Sequence, residues 1–172
     1  KRFKSARVNR VVDAYPLHLG HEAKADGRWR IYVFADGATP GQETDAEALN
    51  GVPGLADWLE SDPASPLVAY RRTGEDVDAL VELKVIYQQP HTEFDFTDVP
   101  PVFRPFVGKY SLEYLENIYA ALPDDDIFDT REISRDGAVV VVRPDQYVAG
   151  IYPLSAREEI GKFFAGVFLP ES

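Results

Sequence analysis

The chain contains neither cysteine nor methionine. Without a thiol it can form no disulfide, no thiolate nucleophile and no Cys-x-x-Cys redox pair. Basic residues are also scarce: eighteen Lys and Arg stand against twenty-nine Asp and Glu, for a formal charge of −11. A surface this negative repels phosphate backbones and anionic lipid, so neither nucleic acid nor a membrane is an expected partner. No apolar run approaches the roughly 20 residues that span a bilayer. The basic opening Lys1-Arg2-Phe3-Lys4 lacks the apolar stretch of an export signal, and a cytoplasmic location is expected. The sequence has no Gly-x-Gly-x-x-Gly, no Gly-Lys-Ser/Thr and no Gly-x-Ser-x-Gly. Phosphate cradles and the serine nucleophile elbow are therefore excluded. A chain that opens on Lys1 with no methionine is expected to be a piece of a longer polypeptide.

What is present describes a folded unit. The 172 residues are 45% hydrophobic and 12% aromatic, enough for one domain with its own core. Residues 138–152, AVVVVRPDQYVAGIY, carry the strongest local signal. Four consecutive valines suit a strand buried on both faces. Arg143-Pro144-Asp145-Gln146 breaks the run, because proline lacks a ladder donor and aspartate bonds its own backbone. Residues 147–152 then read as the return strand of a hairpin.

Elsewhere, 8–12 suggests a short strand and the Asp26-Gly27 pair a turn. The stretch 28–35, RWRIYVFA, reads as a strand that starts polar and finishes in the core. Residues 45–60 read as a short helical turn followed by a helix with Pro53 in its first turn and Leu55, Trp58 and Leu59 inward. In 79–88, Val81, Leu83, Val85 and Tyr87 alternate with Glu82 and Lys84, which predicts a half-buried strand nearer the sheet edge than the valine strand. Residues 111–122 have helical spacing, although Tyr114 and Tyr119 leave a strand open. Ser155-Ala156-Arg157-Glu158 reads as a capping box before a helix whose inward residues are Ile160, Phe163, Phe164, Val167 and Phe168. This order of elements predicts an α/β sandwich, a mixed central sheet flanked by helices.

Candidate chemistry is sparse. His18-Leu19-Gly20-His21-Glu22 places three potential metal ligands in five residues, but a glycine-containing loop does not impose their convergence, so polar surface histidines are the expected outcome. Asp124-Asp125-Asp126 lacks the spacing of a calcium loop and reads as a solvated turn. Residues 90–105, PHTEFDFTDVPPVFRP, cannot be regular for long, yet Phe94, Phe96, Phe103 and Phe106 need burial. Either the segment packs over the core or these rings dock on another domain or subunit. Arg143 and Asp145, at the hairpin tip, either contact a neighbour or pair with each other. The candidate interface residues are thus Phe94, Phe96, Phe103, Phe106, Arg143 and Asp145. No catalytic, cofactor-binding or metal-binding residue is assigned.

Five stretches, HLGHEAKADGRWRIYVFAD (18–36), VIYQQPH (85–91), IFDTREI (127–133), VVVRPDQYVAG (140–150) and FFAGVFLP (163–170), run in the order of a known family. On them the chain resembles the C-terminal domain of the phenol 2-monooxygenase and 3-hydroxybenzoate 4-monooxygenase group of FAD-dependent aromatic hydroxylases. The resemblance implies a thioredoxin-like sandwich whose redox Cys pair is absent, with Asp36-Gly37-Ala38-Thr39 in its place. It implies a single domain over 1–172 that supports homodimerisation of a parent flavoprotein and contacts its FAD and substrate domains. That parent would bind FAD, use NAD(P)H to reduce it and hydroxylate a phenolic ring. No cofactor is expected in these residues alone, and no hydroxylation by them. The competing expectation is a stand-alone thioredoxin-like binding module for a protein or hydrophobic ligand.

Overall fold

The computed structural model describes residues 1–3, 6–22 and 24–168, apart from the side chains of His21 and Glu22. Its elements in chain order are β1 (Arg7–Arg10), β2 (Tyr15–His18), β3 (Trp29–Phe34), α1 (Asp45–Asn50), α2 (Val52–Ser61), α3 (Pro66–Ala69) and β4 (Val81–Tyr87). After two 3-10 turns come β5 (Phe106–Val107), β6 (Leu112–Glu113), β7 (Ile118–Ala121), α4 (Ile127–Thr130), β8 (Ala138–Val142), β9 (Val148–Tyr152) and α5 (Arg157–Ala165).

Seven strands form one mixed sheet in the order β2-β1-β7-β4-β3-β8-β9. β3, β4 and β7 run parallel, whereas β8 and β9 join antiparallel on one side and β1 and β2 on the other. The valine hairpin is present: Val139 to Val142 are buried, and the register slips between Val141 and Val142 as the strand meets its turn. Period-2 alternation sends Ile31, Val33, Val81, Leu83, Val85, Val139 and Val141 to one face, under α2, α3 and α5. Tyr32, Phe34, Ile86, Tyr119, Val140 and Val142 point to the other, covered by Ala6, Leu19, Ile127 and Phe128.

The helices follow local chemistry. A capping box opens α1, in which the Thr44 hydroxyl accepts from the Glu47 amide and the Glu47 carboxylate accepts from the Thr44 amide. Pro53 lies in the first turn of α2, where its missing N–H costs nothing, and Leu55 and Leu59 are buried beneath it. Helix α5 is held to the sheet by rings. Trp29 meets Phe163, Phe164 and Phe168 edge-on with centroids 5.8, 5.9 and 6.1 Å apart.

Three local expectations are corrected. β4 is not near an edge but is the middle strand of seven, buried along its whole length. Its alternation arises because Glu82 and Lys84 find charged partners inside. Residues 111–122 are not a helix but contain β6 and β7, since β7 gains ladder bonds to both β1 and β4. The expected capping box at Ser155 does not form. The turn begun by the Ala156 amide bonding the Pro153 carbonyl delays the helix, so that Ala156, with no side-chain bond, stands at its N-cap.

Candidate association surface

The loop after β3 is the one in which the resemblance implies a lost redox pair. Here Asp36 closes the loop by accepting from the Ala38 amide at 3.1 Å, while Gln89 donates to the Gly37 carbonyl at 2.9 Å. The loop leads into α1, whose first turn holds Asp45 and Glu47. A helix N-terminus suited to a diphosphate offers free amides and no carboxylate. At α1 the Glu47 carboxylate itself takes the Thr44 amide at 2.9 Å. These residues do not fit the phosphates of a flavin dinucleotide, and they hold no sulfur.

The densest polar arrangement lies inside the sheet. Parallel pairing sets Arg30 beside Glu82 and Tyr32 beside Lys84. The Glu82 carboxylate accepts from Arg30 Nε at 3.2 Å and lies 3.3 Å from Lys84 Nζ and 2.8 Å from Arg28 Nη2. Lys84 also donates to Asn117 Oδ1 at 3.2 Å and Tyr119 Oη at 3.3 Å. Arg28 extends the cluster to Asp26 at 2.8 Å and Asp78 at 3.1 Å. Arg30, Glu82 and Lys84 are 1%, 4% and 1% exposed.

Burial works against the Glu82 carboxylate, but Lys84, Arg28 and Arg30 outweigh it and hold its pKa below the ordinary value. Asp26 is likewise opposed by desolvation, yet hydrogen bonds from Arg28 bring it down to about 2. Asp78 goes the other way, raised by burial beyond what Arg28 recovers. The cluster's three innermost side chains, Arg30, Glu82 and Lys84, are shielded from solvent, and its charges are mutually matched. Its chemistry is structural: it locks the register of β3, β4 and β7. The sequence pattern did not single it out, although Arg28 and Arg30 in one apolar run and Glu82 and Lys84 in another, each pair at period 2, were its signal.

The predicted interface residues do not act as one patch. Phe103 is fully buried and Phe94 nearly so, with Phe94 packed on Tyr87 at 5.0 Å, so both belong to the core and are corrected from interface candidates. Burial wins because the 3-10 turns at Phe96–Asp98 and Pro101–Phe103 fold the segment onto the sheet. Phe96 is half-buried and packs on that core. Phe106 alone of the four is exposed, at 65%. Arg143 and Asp145 pair with each other at 2.6 Å, and the Arg143 guanidinium lies over the Tyr147 ring. His18 lies at the end of β2, the side chains of His21 and Glu22 lie outside the described residues, and no metal-ligating cluster occurs among the described ones. His91 Nδ1 stands 3.1 Å from Asn9 Nδ2. Asp126 caps α4 and pairs with Arg135 at 3.1 Å.

Sequence spacing did not reveal that Phe106 belongs to a small separate hairpin, β5–β6, in which Tyr110 is 76% and Leu112 67% exposed. A two-stranded ribbon is marginal alone in water. This one is anchored: Asp76 accepts from the Gly108 amide at 3.0 Å, Arg104 pairs with Glu113 at 2.9 Å, and the Tyr114 amide bonds the Pro105 carbonyl.

The chain was compared with known proteins. It is 43% identical over 169 residues to a 3-hydroxybenzoate 4-monooxygenase of Comamonas testosteroni, covering 95% of this chain and 25% of that protein. It is 32% identical over 172 residues to the FAD-dependent monooxygenase terD of Aspergillus terreus, covering 95% and 26%. The chain thus spans about a quarter of the length of these relatives. Among solved structures, the thioredoxin domain of a thiol-disulfide oxidoreductase from Bacteroides vulgatus superposes with a TM-score of 0.51 at 10% identity, covering 95% of each chain. At that identity the likeness shows the fold alone, a thioredoxin-like sheet without its thiols. The family model described as phenol hydroxylase, C-terminal dimerisation domain, matches residues 1–172, and the chain belongs to that family.

Proposed function

We propose that residues 1–172 act as a single non-catalytic domain that joins two subunits of an FAD-dependent aromatic hydroxylase. The observation that carries this reading is the match of the dimerisation-domain model along the whole chain. The interior agrees with it. The loop at the thioredoxin redox position is thiol-free, the α1 terminus is blocked by its own carboxylate, and the buried charges satisfy one another. FAD, NAD(P)H and the phenolic substrate are bound by other parts of the parent, which this domain contacts in the cytoplasm. The flavin supplies the oxygen chemistry there, and the present residues supply shape and association. No described helix is long and apolar enough to cross a membrane.

Co-expression of two differently tagged copies tests the reading. Capture of one tag should bring the other with it, whereas recovery of singly tagged chain alone contradicts association. Flavin absorbance that stays with the isolated chain through desalting contradicts the placement of FAD elsewhere.

A second reading has one observation in its favour. A 380 Å³ groove lies between the N-terminal residues and β8–β9, lined in part by Phe3, Phe34, Ile133, Val140 and Ile151. A stand-alone module for a small hydrophobic ligand would use it, and saturable displacement of a fluorescent apolar probe would favour that role.

A further inference from the structure

We infer that the β5–β6 hairpin is the contact through which this chain meets a second copy of itself, an assignment that rests on the association reading above. Large apolar side chains stand exposed at several separate places, among them Tyr15 and Ile151, but among the described residues only this hairpin gathers three within seven positions. Phe106, Tyr110 and Leu112 are 65%, 76% and 67% exposed on an element held in place from both ends. Rigid exposed rings lose little entropy on binding and are the residue types that dominate interface energetics.

Charge selects the occupant. Two copies of a chain carrying −11 repel each other over most of their surfaces. In a two-fold contact the same patch faces itself, so a patch rich in carboxylates opposes its own charge. Residues 99–112 contain no Asp or Glu, the longest such stretch in the chain, and carry Arg104 and Lys109. Of the neighbouring acids, Glu113 is matched by Arg104 and Asp76 is engaged by the Gly108 amide. Lys109 lies over the Tyr110 ring at 5.6 Å, which spreads its charge across the apolar tip. The hairpin is where two acidic copies can approach without facing carboxylate with carboxylate.

The area is of the right order. An aromatic side chain buries about 150–250 Å². Because Phe106 and Tyr110 are 65% and 76% exposed, the four rings of two copies have about 420–700 Å² left to bury, about a third of a standard interface of about 1,600 Å².

The test substitutes Phe106→Asp, Leu112→Asp and, at the tip, Tyr110→Ala singly, with Leu49→Asp as a control at another exposed apolar site, 63% exposed on α1. Mass is read by light scattering under conditions where the unaltered chain is dimeric, and urea midpoints report folding. Each hairpin substitution should raise the dimer dissociation constant about tenfold or more with an unchanged midpoint, while Leu49→Asp leaves it as it was. Tyr110→Ala removes only a tip side chain, so its effect on association is readable even if an aspartate variant unfolds. Hairpin variants that dimerise like the unaltered chain overturn this assignment and leave the association reading standing. An unaltered chain that stays monomeric at every concentration overturns both.

Discussion

Glu82→Gln removes a carboxylate that lies within reach of three cations at the centre of the sheet. In the native chain its oxygens lie 3.2 Å from Arg30 Nε, 3.3 Å from Lys84 Nζ and 2.8 Å from Arg28 Nη2. Arg28 and Arg30 retain Asp26, and Arg28 also retains Asp78. Lys84, an ammonium that is 1% exposed, keeps its bonds to the neutral Asn117 and Tyr119 oxygens but loses the Glu82 charge 3.3 Å away. Breaking a buried pair by deleting one partner costs about 3–5 kcal/mol, because the surviving charge stays desolvated. In a domain of this size each kcal/mol moves the thermal midpoint by about 2–4 °C. Urea unfolding followed by the fluorescence of Trp29 and Trp58 measures the loss. Lys84→Met alone should cost less, since Glu82 keeps both arginines, and combining it with Glu82→Gln should restore part of the loss in a double-mutant cycle. A loss under about 1 kcal/mol for Glu82→Gln, or strict additivity of the pair, would refute the view that these charges depend on one another.

Phe103→Ala should cost about 3–5 kcal/mol in urea unfolding, as for a ring emptied from a packed core, while Phe106→Ala stays within about 0.5 kcal/mol for the single chain; equal effects would contradict the division of the aromatic segment into core and surface. Gly137 has φ +86°, and a Cβ there would sit 2.8 Å from the Phe34 carbonyl and 2.5 Å from Leu154 Cδ1. Gly137→Ala should therefore destabilise by more than about 1 kcal/mol, read from the same transition; a neutral result would contradict that crowding. Asp26 and Glu82 have folded pKa values below their ordinary 3.8 and 4.5, so the stability they contribute is complete above about pH 4.5. It is lost as pH falls through their folded values, about 2 for Asp26. Asp78, raised from 3.8, has the opposite sign, its contribution fading as pH rises through its folded value, and the two lowered carboxylates should dominate. Urea midpoints measured against pH should fall below about pH 4; a flat profile down to about pH 2 would contradict the linkage.

The sheet was legible wherever burial on both faces used apolar residues alone. The valines of β8 and the run Ile31-Tyr32-Val33-Phe34 of β3 announced buried strands because no polar residue confused their period. β4 was misplaced toward an edge because alternation of Glu82 and Lys84 with valine and leucine is also what a solvent-facing strand shows. Only a neighbour at matching depth, Arg30 opposite Glu82, distinguishes a buried ion pair from a wet one, and that match is a property of register. The aromatic segment was ambiguous for a related reason. Phe103 and Phe106 are three residues apart with proline between them, and chemistry alone does not say which ring turns inward. The β5–β6 hairpin escaped notice since its strands are two residues each, too short for any period to register. Family membership was legible because its most specific motifs lie on β3 and on the β8–β9 hairpin, 28–36 and 140–150.

Sedimentation equilibrium of the unaltered chain over a broad concentration range tests the central claim most directly. A thiol-free association domain predicts a mass that rises from 19.3 kDa toward twice that value as concentration increases. A mass that remains at 19.3 kDa throughout would contradict it.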